Sequence, residues 1–179
     1  MIVLLVGAPG IGKTTLLQAL SARMGCPAFE MSWMPEFLVK NGNAISYEED
    51  ERIAADTLLL VGRNYLKHGH RIVLLSDFTL RLLPWLLSST TPEERLPIKL
   101  IIRDDAELTR RVLDPSRSNG YRHWEEALRI NRDLQVPLAA DEVVCDITGK
   151  TLAEEIDLLV ACIDSRLSSQ VDGRQEHTP

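Results

Sequence analysis

The chain opens Met1-Ile-Val-Leu-Leu-Val-Gly-Ala-Pro-Gly-Ile-Gly-Lys-Thr-Thr15, and the reading of these residues decides the fold. Residues 2–6 are an unbroken apolar run rich in branched side chains. That composition suits a strand buried on both faces of a parallel sheet. Gly7 through Thr14 then read G-x-x-x-x-G-K-T, and helix formers continue to Leu20. Strand, glycine loop and helix are the context in which this spacing builds a phosphate-binding loop.

Each residue type in the loop has a chemical reason. Gly7, Gly10 and Gly12 let the backbone turn so that successive N–H groups form an anion nest. Ala8, Pro9 and Ile11 fill the loop between them. The helix that starts near Lys13 adds its positive N-terminal end. Lys13 supplies a mobile charge for the β- and γ-phosphates, and the Thr14 hydroxyl is placed to ligate magnesium. Thr15 is a candidate for the α-phosphate. ATP and Mg2+ are therefore the expected cofactors.

Working outward, 179 residues suffice for one domain with a substantial core. The chain is 45% hydrophobic and 26% charged, ordinary values for a globular protein. A net charge of −6 argues against a general nucleic-acid or anionic-membrane surface. The balance is local, however: residues 103–132 hold seven arginines against six acids. Cys26, Cys145 and Cys162 are odd in number, widely separated and without metal-ligand spacing. Because a core strand begins at once, we expect no signal or transit peptide. No apolar run reaches membrane-spanning length. A reducing cytoplasm is the expected compartment. The oligomeric state is open.

Along the chain, the pattern predicts a first helix over 13–24, stopped by Gly25, and a short strand over 27–31 carrying Glu30. One or two helical turns follow over 32–40, and Asn41-Gly-Asn43 signals a turn. Ser46 and Glu49 have capping-box spacing and open a long helix to Lys67. Residues 72–75 form a second buried strand ending at Asp77. Residues 78–87 read as helix kinked or divided at Pro84, and 88–97 as loop. A third strand spans 98–102. Asp104 starts a helix bearing Arg110 and Arg111, which residues 114–120 break. Residues 121–134 are helical again, with Trp124, Leu128 and Ile130 as anchors. The last strand is 142–147, and Thr151 caps a final helix striped by Leu152, Ile156, Leu159, Val160 and Ile163. We read 1–167 as one domain and 168–179 as a polar, flexible tail. Strands alternating with helices imply an α/β, doubly wound parallel sheet. Ligands in such sheets sit beyond the strand C-termini, which gathers Gly7, Glu30, Asp77, Arg103 and the Thr148-Gly149 turn on one edge.

Four stretches together resemble the small P-loop kinases of the nucleoside monophosphate kinase type, a group that includes shikimate, gluconate and chloramphenicol kinases. They are Gly7-Ala-Pro-Gly-Ile-Gly-Lys-Thr-Thr15, Ile72-Val-Leu-Leu-Ser-Asp77, Ile101-Ile-Arg-Asp-Asp-Ala-Glu-Leu-Thr-Arg-Arg111 and Val144-Cys-Asp-Ile-Thr-Gly-Lys-Thr-Leu-Ala-Glu-Glu155. The resemblance covers residues 1–165 in layout. It implies a three-layer P-loop NTPase fold, with a five-stranded parallel sheet in the order 2-3-1-4-5 and a mobile lid over 110–122. It also implies roles. Asp77 would join Thr14 in holding magnesium, and Arg110 and Arg111 would begin the lid. Arg117 and Arg122 would approach the transferred phosphoryl, and Gly149 and Lys150 would border the base. The ordinary alternative for the arginines is a solvated helix face.

The acceptor side departs from the pattern, because members of the group carry an Asp just after the second strand and residues 26–49 contain none. Glu30 and Glu36 are the acids between Cys26 and Tyr47, and Glu30 is the candidate base. Trp33, Phe29 and Phe37 are candidates to line an acceptor pocket. The expected activity is ATP-dependent transfer of a phosphoryl group to a small-molecule acceptor, such as a nucleoside, nucleotide or hydroxylated metabolite. The alternative is a P-loop ATPase or switch acting on a protein partner. Against it, Phe78 follows Asp77 where ATPases commonly carry a water-activating glutamate.

Overall fold

Ile2–Gly7 (β1) is buried at every position, because it pairs in parallel on both sides. Val73–Ser76 (β5) lies on one side and Arg95–Ile101 (β6) on the other. Ala28–Glu30 (β2) extends the sheet beyond β5, and Val143–Asp146 (β7) extends it beyond β6. The order β2-β5-β1-β6-β7, all parallel, is the expected 2-3-1-4-5. Val39–Lys40 (β3) and Asn43–Ala44 (β4) form a separate antiparallel pair. The computed structural model describes residues 1–34, 39–40, 43–44, 46–116 and 120–175. Glu36, Phe37, the Asn41-Gly42 turn and Arg117 lie outside them.

Alternation along β1 sorts the helices into two layers. Val3 and Leu5 face Leu16, Leu17 and Leu20 of Lys13–Met24 (α1), and Leu159 and Ile163 of Leu152–Gln175 (α6). Ile2 and Leu4 face Ala55, Leu58 and Leu59 of Tyr47–Lys67 (α2), and Leu86 of Leu83–Ser89 (α3). Burying each such leucine contributes about 2 kcal/mol. Asp105–Leu113 (α4) and Trp124–Leu134 (α5) cover the sheet beside β6 and place Leu108, Val112 and Ala127 in the first core.

Helix starts follow the sequence signals. Ser46 accepts the Glu49 amide at 3.2 Å. Asp104 accepts the amides of Ala106 and Glu107 at 2.9 and 3.3 Å. Thr151 and Glu154 cap each other reciprocally.

Several boundaries differ from expectation. Residues 31–33 form one 3₁₀ turn, and the chain is already extended at β3. Pro84 sits in the first turn of α3 rather than kinking a longer helix, where its missing N–H costs nothing. The expected loop over 88–97 is shorter, since α3 runs to Ser89 and β6 begins at Arg95 with Pro97 inside it. Pairing with β7 starts only at Ile98, so on that side the strand is still an edge at Pro97 and tolerates it. Trp124 opens α5 and is 37% exposed, and Leu152 opens α6 and is 42% exposed, so neither anchors its helix. Ile130 is half-buried, whereas Leu128 is in the core. α6 continues through Gln175 into the stretch read as tail.

Candidate active site

The loop after β1 is held by contacts that leave no room for larger residues. A Cβ on Gly7 would fall 2.9 Å from Ile11 Cγ2. Gly12, at φ 109°, is the N-cap of α1 and offers no side-chain cap, so the first amides of the helix stay open to an anion. Ala8 and Ile11 are buried, pinning the loop from below, while Thr14 and Thr15 are exposed. Lys13 Nζ donates to the carbonyls of Gly7 and Ala8 at 3.1 and 3.4 Å and lies 4.0 Å from Asp77 Oδ1. Gly7, Pro9, Gly10 and their neighbours thus form the turn from β1 into α1, with Lys13 folded back over it.

Glu30 and Asp77 reach this turn from neighbouring strand ends. Glu30 closes β2 and is 2% exposed. Thr14 Oγ1 donates to its Oε2 at 3.2 Å, while Oε1 has no hydrogen-bond partner. Burial is the main influence on this carboxyl and pushes its pKa up. The Thr14 bond opposes that, Asp77 adds to it, and Lys13 and the Trp33 indole oppose it more weakly. Asp77 follows β5 at φ 69°, the sole positive φ outside glycine among the described residues. A side chain held there costs backbone energy, and Asp tolerates the region better than most.

Two cavities meet at Asp77. The first, about 820 Å³, is lined by the loop from Pro9 to Thr15, with Arg111, Tyr121, Lys150 and Glu155 across from it. The second, about 450 Å³, lies between Met31 and Met34, the first turns of α2, and Thr79. Asp77 lines both; Glu30 lines neither. The candidate base of the sequence reading is therefore set against Thr14 and away from the second cavity. The reason is that β2 ends beside α1, and the Glu30 side chain is covered there. Of the aromatic candidates, Phe29 packs on Tyr65 with centroids 5.2 Å apart, and Trp33 is 48% exposed.

The oxygen donors present fit magnesium. Thr14 brings a hydroxyl, and Glu30 brings a buried carboxylate with one open oxygen. Asp77 brings a second carboxylate. Magnesium is commonly held by one or two carboxylates together with substrate phosphates. Among the described residues no cluster of three or more His, Cys, Asp or Glu suggests an all-protein metal site.

On the far wall, Arg111 donates to the Ile11 carbonyl and to Glu155, each at 3.0 Å, and pairs with Glu107 at 2.8 Å. Arg110 is exposed on the same helix. Arg122 donates to the Tyr121 carbonyl at 2.8 Å. Gly149 turns at φ 66° and gives its N–H to Glu107 at 2.8 Å. Arg103 turns away to Asp146 at 2.7 Å. Of the acids that hold Arg111 in place, Glu107 is signalled by its spacing, three residues after Asp104 and four before Arg111, whereas Glu155 has no signal beyond being an acid on a helix face that turns out to be buried.

Comparison with known proteins places this geometry. A family model, "ATPase family associated with various cellular activities (AAA)", matches residues 3–63, the part that carries the loop. No curated protein matches the sequence. Among solved structures, a gluconokinase from Sinorhizobium meliloti 1021 superposes with TM-score 0.63 at 18% identity, covering 96% of this chain and 95% of that one. The thymidylate kinase from Candida albicans gives 0.60 at 15% identity over 92% and 91%. The shikimate kinase from Aquifex aeolicus vf5 gives 0.57 at 16% identity over 93% and 98%. The chain has the P-loop NTPase fold in the form these small kinases share.

Proposed function

We propose that the chain is an ATP-dependent phosphotransferase acting on a hydroxyl of a small molecule. The observation that carries this reading is Asp77, which lines both the cavity of the phosphate loop and a separate cavity of about 450 Å³. A hydrolase needs one pocket with water beside the γ-phosphate; two pockets sharing a carboxylate suit transfer between two bound molecules.

In this reading the loop amides and Lys13 hold the β- and γ-phosphates. Magnesium, held by Thr14 with Glu30 and, through water, by Asp77, would neutralise phosphate charge. Asp77 accepts the proton of the acceptor hydroxyl as its oxygen bonds to the γ-phosphorus and the bond to the ADP oxygen breaks. Glu30, whose proton affinity burial raises, orients Thr14 and is not itself the base. Arg110 and Arg111 would begin a lid over 110–122, Arg117 and Arg122 would approach the transferred phosphoryl, and Lys150 with the Gly149 turn would border the adenine. Three free cysteines suit a reducing compartment such as the cytoplasm. No helix among the described residues is long and apolar enough to cross a membrane.

The test is ADP release screened over nucleosides, nucleotides, sugars, hydroxy acids and amino alcohols. Stimulation of at least about tenfold by one class is expected, since correct positioning of the acceptor hydroxyl is what accelerates transfer. ATP hydrolysis that no acceptor changes would overturn the reading.

A further inference from the structure

The cavity of about 450 Å³ beside Asp77, which the reading above gives to the acceptor, is lined by several acids. Its described lining includes the carboxylates of Asp50, Glu51 and Asp77 and no lysine, arginine or histidine. The rest is apolar or hydroxyl-bearing, from Met31, Ile53 and Thr57 among others. Arg81 is close by, but its guanidinium is engaged. It donates to Glu51 Oε2 at 2.7 Å, pairs with Glu48 at 3.3 Å, and lies 4.9 Å from the Tyr47 ring.

Glu51 is the informative member. It lines the cavity, is 5% exposed, and still leaves Oε1 without a hydrogen-bond partner even though Oε2 is bound. A buried carboxylate oxygen left open costs free energy unless a donor fills it. Asp50, one residue earlier on α2, makes no ion pair among the described residues. An acceptor that brings N–H donors and positive charge satisfies both groups. One that brings a carboxylate or phosphate meets three carboxylates; Arg81 is paired with Glu51 and Lys13 stands 4.0 Å from Asp77, so Asp50 is the charge left without an ion pair among the described residues.

We propose, resting on the phosphotransferase reading above, that the acceptor is a hydroxylated molecule bearing a protonated amine. Its ammonium is held by Asp50 and Glu51 Oε1, and its hydroxyl is presented at Asp77. The cavity volume fits an amino alcohol or a single amino sugar.

The experiment measures kcat/KM for ADP release with three probe sets. The amines are ethanolamine, serinol and glucosamine. The neutral set is N-acetylethanolamine and N-acetylglucosamine, and the anionic set is gluconate, shikimate and thymidylate. At least one amine should exceed both other sets by about 10²-fold, the scale of a like-charge or unpaired-charge mismatch in a closed site. Asp50→Asn should narrow the gap between an amine and its acetylated form by about tenfold while the KM for ATP holds. Stimulation by an anionic or neutral probe that equals or exceeds every amine overturns this inference and leaves the phosphotransferase reading standing. An unchanged amine preference in Asp50→Asn overturns the assignment to this cavity. No stimulation by any set overturns both.

Discussion

At the edge of the sheet where β6 begins, Arg95 donates to both oxygens of Asp141 at 2.8 and 3.1 Å, and its remaining N–H groups reach the carbonyls of Leu87 and Thr90. Arg63 there grips both oxygens of Glu94 at 2.7 and 3.1 Å. At the opposite edge, where β2 and β5 end, Glu30 takes the Thr14 hydroxyl on Oε2, has the Trp33 indole nearby and leaves Oε1 unfilled, and Lys13 stands 4.0 Å from Asp77. Both edges bury charge. At the first, geometry completes each pair; at the second, groups are left for a ligand to complete. Glu142 marks the boundary of the contrast: it too leaves Oε1 open, yet its Oε2 takes Lys99 at 2.8 Å and the amides of Leu138 and Ala139. Completed pairs hold the fold; incomplete ones mark the site.

The comparison can be broken first at Lys13. Lys13→Ala should lower ATP turnover by about 10³-fold, the scale of removing a cation from a transferring phosphoryl group, with cooperative unfolding preserved. Near-parent turnover in a folded protein would remove Lys13 from the site. The matching change at the other edge is Arg95→Met, which leaves the largely covered Asp141 carboxylate, 14% exposed, without its partner. It should cost about 3–5 kcal/mol, about 10 °C in Tm or more, with turnover per folded molecule held. Loss of turnover without loss of stability would reverse the two edges.

A pH profile sharpens the contrast. The Arg95 hydrogen bond holds the Asp141 carboxyl below its ordinary 3.8, against desolvation. Between that depressed value and 3.8 the unfolded chain binds more protons than the folded one. The pair's stabilisation is therefore complete above that window and is lost as pH falls through it. Burial pushes Glu30 the other way. Asp141→Asn should be less stable than the parent near about pH 6, and the two should converge below the window. A difference that stays constant with pH would show that the ion pair contributes nothing.

The smallest effect on stability is expected at Asp77. Its positive φ is strain that glycine relieves. Asp77→Gly should gain about 1 kcal/mol, a rise of about 2–4 °C in Tm, while turnover collapses. A fall in Tm would mean that Asp77 serves the fold more than the site.

What the sequence discloses follows from how local each feature is. The loop from Gly7 to Thr15 is contiguous, and its strand and helix flank it, so its structure is legible residue by residue. The same holds for the Ser46 and Thr151 caps, each closed within four residues. Pro97 misled the boundary of β6 because its tolerance depends on where β7 begins to pair, about forty residues later in the chain. The Thr14–Glu30 bond joins two elements, and Glu51 meets Arg81 across 30 positions. Neither contact leaves a periodicity to read. The cavity of about 450 Å³ is built from three separated segments, which is why the sequence could name only single candidates on that side.

The most direct test of the two-cavity account is a 31P NMR spectrum of ATP turnover with magnesium and a pool of hydroxylated acceptors. The account predicts that the γ-phosphoryl leaves as a phosphate ester, a new resonance that grows with ADP and is absent without the pool. Inorganic phosphate as the sole product, at the same rate with and without acceptors, would contradict it.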